Sequence, residues 1–225
     1  ALERRMRDRE EILEAVAHEV GTPLARMAFQ LELLAEASGE AAVLARVAQV
    51  RAEIAELDQL TEELTTWIRL DGQAVAREPI DLRALAAEAI ERSGGDARVG
   101  VRWVAGAERA MANGDPVWVR RAIENVVRNA RHYARSEAIV RVEVGDGQVR
   151  VVVDDDGPGI PEADRERIFD PFTRLEHSRN RAAGGVGLGL AIVRRVMDRH
   201  HGRVEVDRSA LGGARFILVF LTEVP

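Results

Sequence analysis

Residues 151–160 read Val-Val-Val-Asp-Asp-Asp-Gly-Pro-Gly-Ile. Three consecutive β-branched residues suit a strand buried on both faces, and the run then opens into three carboxylates and two glycines. A carboxylate at a strand end can accept a hydrogen bond from an adenine amino group. The glycines would let backbone approach a flat ring closely. Three aspartates would also suit a solvated turn or a metal loop, and only one of them need point at a base.

Working outward, the surrounding pattern mixes helix and strand. Asp81 suits an N-cap for a helix over Leu82 to Arg92, Val99–Val104 suits a strand, and Pro116–Ala134 a helix. Ala138–Val144 and Gln148–Asp154 flank the Gly145–Gly147 turn as a hairpin. A helix from Leu188 to His200 is followed by strands at Arg203–Asp207 and Ala214–Leu221, joined by Gly212-Gly213. Helices interleaved with hairpins predict a helix layer on a mixed or antiparallel sheet, an α/β sandwich over residues 80–225.

Residues 1–72 have a different period. Leu13, Val16, Val20, Leu24, Met27, Leu31 and Leu34 step by three and four, as on a helix with one apolar stripe. Ser38-Gly39 breaks this helix. Val43, Val47, Val50, Ile54, Leu57, Thr61, Leu64 and Ile68 then step 4-3-4-3, a coiled-coil seam that ends at Asp71-Gly72. Two such helices form a hairpin with too little core to stand alone, so a homodimer is expected, two hairpins pairing as a four-helix bundle. Residues 73–79 read as a linker between the two domains.

The 225 residues suffice for two modest domains. A net charge of −6 gives no reason to expect a nucleic-acid partner. All 32 Lys+Arg residues are Arg, so phosphate contacts fall to Arg, His or backbone. With no Cys there are neither disulfides nor thiolate metal sites. No apolar run approaches the roughly 20 residues that span a bilayer. The start at Ala1, inside a charged heptad-like stretch, reads as a cytoplasmic fragment of a longer protein.

His18 lies two residues from both Val16 and Val20, rotated about 200° from each and so away from the seam. Glu19 stands beside it, Gly21 and Thr22 lie a turn further on, and Pro23 sits inside the helical pattern. An interior Pro costs a helix about 3 kcal/mol. An imidazole nucleophile needs an exposed ring nitrogen and a carboxylate to orient it or take its proton. His18-Glu19-Val20-Gly21-Thr22-Pro23-Leu24 resembles the H box of sensor histidine kinases, H-E-[LI]-R-T-P-L, departing from it at Gly21. The resemblance implies that His18 is autophosphorylated, that Glu19 assists, and that Thr22 positions water for dephosphorylating the partner.

Four further segments follow in order: Glu124-Asn125-Val126-Val127-Arg128-Asn129-Ala130-Arg131-His132-Tyr133; Asp154-Asp155-Asp156-Gly157-Pro158-Gly159-Ile160; Phe169-Asp170-Pro171-Phe172; and Gly184-Gly185-Val186-Gly187-Leu188-Gly189-Leu190 opening a helix. Asn125 and Asn129 share a helix face one turn apart. Glycines before a helix N-terminus can cradle phosphate. Together the four resemble the N, G1, F and G2 boxes of the Bergerat (GHKL)-type ATP-binding fold, found in histidine kinases, DNA gyrase, MutL-type proteins and heat-shock chaperone ATPases. By that resemblance Asn129 is the Mg2+ ligand and Asp155 the adenine-amino acceptor. His132 lies on the phosphate side, as does Arg174. Tyr133 and Ile160 line the adenine pocket. Asn125, Gly157, Gly159, Phe172, Gly185, Gly187, Leu188 and Gly189 complete the ATP site, and residues 173–186 form the lid.

The family reading implies a protein-histidine kinase that passes its phosphoryl group to an aspartate in a response regulator receiver domain. The full-length protein would be anchored in the bacterial inner membrane. A gyrase-like ATPase clamp is one alternative, but that class has Glu where this chain has Asn125, and an amide cannot take a proton from water. A non-catalytic scaffold that signals by binding alone is another, against which His18, Asn129, Asp155 and the glycine loop argue. His177, His200 and His201 have no ligand partners at metal spacing and read as surface residues.

Overall fold

The computed structural model describes residues 16, 20–34, 39–72, 75–93, 99–104, 109–173, 175 and 187–222. His18, Glu19, Arg174, Gly185 and His177 lie outside them. The chain divides into two compact units, Ala1–Thr66 and Trp67–Pro225.

The first unit is a helical hairpin. Helix α1 runs over residues 20–34, continuing through Pro23, and α2 over Glu40–Gly72. They are antiparallel: Arg26 bonds Glu56 at 2.7 Å and Glu53 at 2.8 Å, while Arg46 donates to Gln30 at 3.1 Å. The apolar stripe divides between two directions. Val20, Met27, Val47, Val50, Leu57 and Leu64 are half-buried, whereas Leu24, Leu31, Val43 and Ile54 are exposed.

The second unit begins with the last turns of α2. Leu70 is buried there and the Arg195 guanidinium stands 4.3 Å over the Trp67 ring. Strand β1 (Glu78–Asp81) pairs antiparallel with β3 (Met111–Gly114) in a small sheet. The sequence pattern predicts neither strand and gives Glu78 and Pro79 to the linker. Four residues with a Pro on one side and Asn-Gly on the other carry no period-2 signal, and what fixes them is burial of Ile80 opposite Ala112. Between them come α3 (Leu82–Arg92), capped by Asp81 through Arg83 N at 3.0 Å, and β2 (Gly100–Trp103).

Helix α4 (Pro116–Tyr133) starts at Asp115, whose carboxylate accepts from Val117 N and Trp118 N, with Pro116 in the first turn where no N–H is needed. Strands β4 (Glu137–Gly145) and β5 (Gln148–Asp155) form the expected hairpin. Two 3-10 turns, Glu162–Asp164 and Arg167–Phe169, precede α5 (Gly189–Arg199), β6 (Arg203–Arg208) and β7 (Ala214–Leu221). The main sheet has the order β2-β4-β5-β7-β6, with β2 parallel to β4 and every other pair antiparallel. Val140, Val142, Val151, Val153, Phe216, Leu218 and Phe220 form the core under the helices. The alternate residues Arg141, Glu143, Arg150 and Arg215 lie on the other face.

Candidate nucleotide-binding site

The end of β5 gives its three aspartates three different surroundings. Asp154 has the parity of the outer face, where Arg215 Nε bonds its Oδ1 at 2.7 Å and Arg141 bonds its Oδ2. Burial pushes its pKa up, but Arg215, Arg141 and Ser209 hold it below the ordinary carboxylate value. Asp155 turns inward and is 1% exposed. Its Oδ1 accepts from Gly157 N at 2.8 Å and Ala214 N at 3.1 Å, which leaves Oδ2 for an incoming donor. Burial raises its pKa, and these two N–H groups only partly offset that. Asp156 staples the turn after α4, accepting from Arg135 N at 2.7 Å and from Ser136 N and Oγ. Burial works against its charge, yet the Ser136 hydroxyl and the backbone N–H groups bring its pKa down to about 2.

The inward carboxylate is surrounded by places where a side chain cannot fit. A Cβ on Gly157 would stand 2.6 Å from the Tyr133 carbonyl, so the loop lies directly against the last residue of α4. Gly159 adopts φ +74. Gly213 is more constrained than either: a Cβ there would lie 2.1 Å from Asp155 Oδ1 and 2.4 Å from Gly157 N, while its own N–H bonds Asp155 O at 3.1 Å. The sequence pattern marks Gly212-Gly213 only as a turn. Gly212, at φ +101, already meets the turn's need for a left-handed residue. The second glycine of the pair was the available signal that something packs against it.

The N-box asparagines separate. Asn129 is half-buried on α4. Asn125 is 3% exposed and engaged through both amide atoms: its Nδ2 donates to Gly189 O at 3.2 Å and its Oδ1 accepts from Arg128. It ties α4 to the first residue of α5. His132 and Tyr133 stand edge to face, centroids 4.6 Å apart. Leu188 is fully buried, so any ligand contact it makes is through its backbone. Ile160 is half-buried beside Gly159.

Phe172 and Gly187, fifteen residues apart by number, close on each other: Phe172 N donates to Gly187 O at 3.1 Å, with φ 61 at Phe172 and +81 at Gly187. A Cβ on Gly187 would meet the Phe172 backbone at 2.9 Å. The structure thus gathers Tyr133, Asp155, Gly157, Gly159 and Gly213 at one point. It gathers Phe172, Gly187 and Gly189 at a second, with Asn125 joining α4 to the latter. Thr22 is an exposed residue of α1 in the hairpin unit.

One of the histidines read as surface residues is not. His200 is buried, 4% exposed, because it closes the end of α5 against the start of α4, whereas His201 is exposed.

Residues 114–224 match the family model described as histidine kinase-, DNA gyrase B-, and HSP90-like ATPase. Over 224 residues the chain is 35% identical to the sensor histidine kinase CpxA of Escherichia coli K12, spanning 97% of this chain and 48% of that protein. The chain belongs to the sensor histidine kinase family. It spans about half the length of the curated relatives it matches. Among solved structures, full-length ShkA in complex with AMPPNP is 25% identical, with a TM-score of 0.63 over 96% of this chain and 47% of that one. ThkA, solved in complex with the response regulator protein TrrA, has a TM-score of 0.74 over 98% of this chain and 65% of that one. At 21% identity it bears on the fold alone. That fold is the family's: long helices followed by a Bergerat-type α/β domain.

Proposed function

We propose that this chain is the kinase core of a two-component sensor, using ATP to phosphorylate His18 and passing the phosphoryl group to an aspartate of a response regulator receiver domain. The observation that carries this is Asp155. A buried carboxylate with both protein donors on one oxygen is costly unless a ligand donor meets the other, and an adenine amino group is such a donor. The glycine-walled approach at Gly157 and Gly213 suits a flat base lying close to backbone. Asn125 disfavours the ATPase clamp, because its amide is buried and committed to Gly189 and Arg128.

In this reading residues 1–72 form the dimerisation and phosphotransfer domain, 73–79 a linker and 80–225 the catalytic domain. Glu19 orients or deprotonates the His18 ring, and Thr22 positions water against a phosphorylated partner. Tyr133 and Ile160 contact the base. His132, Arg174 and the backbone of Gly185, Gly187, Leu188 and Gly189 meet the phosphates, whose transfer depends on positioning and charge neutralisation. Asn129 offers an amide oxygen, a donor type that suits Mg2+. Among the described residues no group of three His, Cys, Asp or Glu could hold a metal, so the ion would come with the nucleotide phosphates. When bound it would neutralise phosphate charge. The exposed side of the hairpin seam supports a homodimer. No helix of the described residues is long and apolar enough to cross a membrane, and the relatives' greater length leaves room for an inner-membrane anchor.

Incubation with γ-labelled ATP tests the proposal. Wild type should take up label and His18→Gln should take up none. Equal labelling of the two would contradict it.

A further inference from the structure

Helices α4 and α5 lie antiparallel and are tied at both ends of their contact. At the start of α5, Asn125 donates to Gly189 O. At its end, His200 uses both ring nitrogens: Nδ1 is 2.7 Å from Val196 O and must donate to it, and Nε2 accepts from Asp115 N at 3.0 Å. Only the neutral imidazole with its proton on Nδ1 satisfies both contacts. A second proton, on Nε2, would face the Asp115 N–H with another donor. Asp115 is itself the cap of α4, so the tie fixes where that helix begins.

We propose that His200 is a positioning residue of the nucleotide site, holding α4 in register against α5 in its neutral form only and so making nucleotide binding sensitive to acid. The proposal rests on the nucleotide-binding reading above. With one tie at Asn125 and the other at His200, sliding or pivoting of α4 against α5 would break a hydrogen bond. The relation of Asn129 and Tyr133 on α4 to the glycines that open α5 is then set. Losing the second tie removes the polar constraint at that end of the contact and leaves the register to apolar packing alone.

The surroundings of the ring favour the neutral form. Burial lowers the His200 pKa below 6.5; the Val196 carbonyl and the Asp115 carboxylate work against that, while Arg77 and Arg199 lower it further. Asp115 faces it from the head of α4, Arg77 from ahead of β1 and Arg199 from α5 itself. Strand β3, which carries no charged residue, presents Gly114, where a Cβ would meet His200 Cδ2 at 3.0 Å. Because the folded pKa is depressed, this contribution is complete above the unfolded value. It is lost as pH falls from there through the folded pKa.

Linkage gives a test on the unaltered protein. If neutral His200 favours the binding-competent arrangement, nucleotide must weaken its proton affinity by the same factor that acid weakens nucleotide binding. Imidazole 15N NMR, titrated with and without saturating Mg-ADP, should show His200 as the Nδ1–H tautomer at neutral pH. Nucleotide should lower its proton affinity roughly fivefold or more and leave exposed His201 unchanged. His200→Gln keeps an acceptor for Asp115 N–H and does not titrate. It should lose less Mg-ADP affinity between pH 7.5 and 4.5 than wild type does. If Mg-ADP binds at pH 7.5 but the His200 midpoint does not move, or the variant keeps the wild-type pH profile, the positioning role is overturned while the nucleotide site stands. If Mg-ADP does not bind at pH 7.5, the nucleotide reading itself fails.

Discussion

In the α/β unit Val140, Val151, Val153, Phe216 and Leu218 are all closed from solvent, whereas in the hairpin Leu24 is 50%, Leu31 54% and Ile54 46% exposed. Among the described residues of the first unit, which ends at Thr66, only Leu60 and Pro23 are buried apolar side chains. The α/β unit closes its core with its own helices and sheet. The hairpin has two helices, and two helices can each cover only one side of the other. Its remaining stripe calls for a second copy, and this division matches the proposed division of labour. In that proposal the self-contained unit binds nucleotide, and the incomplete one presents the phosphoacceptor to other chains.

The largest effect should come from breaking that contrast. Leu31→Glu with Ile54→Glu puts charges on the open stripe, and sedimentation should show a dimer becoming a monomer. Nucleotide affinity in the α/β unit should stay within about twofold. A double variant that remains dimeric would remove the stripe from the interface. A second change in the hairpin sharpens the same contrast: Thr22→Ala should leave autophosphorylation near wild type but slow dephosphorylation of a phosphorylated partner by about 10²-fold. Equal dephosphorylation rates would make Thr22 an ordinary helix residue.

Within the α/β unit the adjacent aspartates offer a finer contrast. Asp155→Asn retains an oxygen for Gly157 N and Ala214 N, so the fold should survive while ATP binding weakens at least roughly tenfold. Asp154→Asn should do the reverse, costing about 2 kcal/mol of stability by loosening the Arg141 and Arg215 contacts, with ATP binding little changed. Calorimetric binding and chemical denaturation of both variants would separate the two. Matching profiles would show that parity along β5 does not assign their roles. The smallest effect concerns Asp156 and Asp154, whose folded pKa values lie below 3.8. Their contribution is present above that value and lost as pH falls through the folded values, about 2 for Asp156. Denaturation midpoints should therefore fall modestly between pH 4 and 2, and a flat profile there would contradict the two sets of contacts.

The elements with a strong period were legible in the sequence. The seam of α2, the alternation of β4 and the turn glycines between β4 and β5 each require one structure locally, and each forms it. The residue pattern left the three aspartates open, and Asp155 was singled out only by the resemblance to the G1 box; the structure turns that carboxylate inward. What escaped was long-range. Strands β1 and β3 exist because each pairs with the other across about thirty residues. Gly213 backs a carboxylate 58 positions earlier. His200 meets Asp115 from 85 positions away; its steps of seven, four and three from Val193, Val196 and Met197 put it on the buried face of α5, a signal that was available, but the partner it meets there is not local. Asn125 shows the same limit at closer range. Spacing placed it beside Asn129, but only the packing of α5 shows that its amide is already committed.

The central claim is that nucleotide held in the α/β unit is used to modify His18 in the hairpin. Peptide mapping after incubation with Mg-ATP tests it most directly. The arginine-bounded peptide 10–26, which contains His18, should gain one phosphoryl group that is lost in acid and retained in base, as a phosphoramidate behaves. The gain should be slower in Asp155→Asn. A phosphoryl group on any other peptide, or one that survives acid as a phosphoester, would contradict the account.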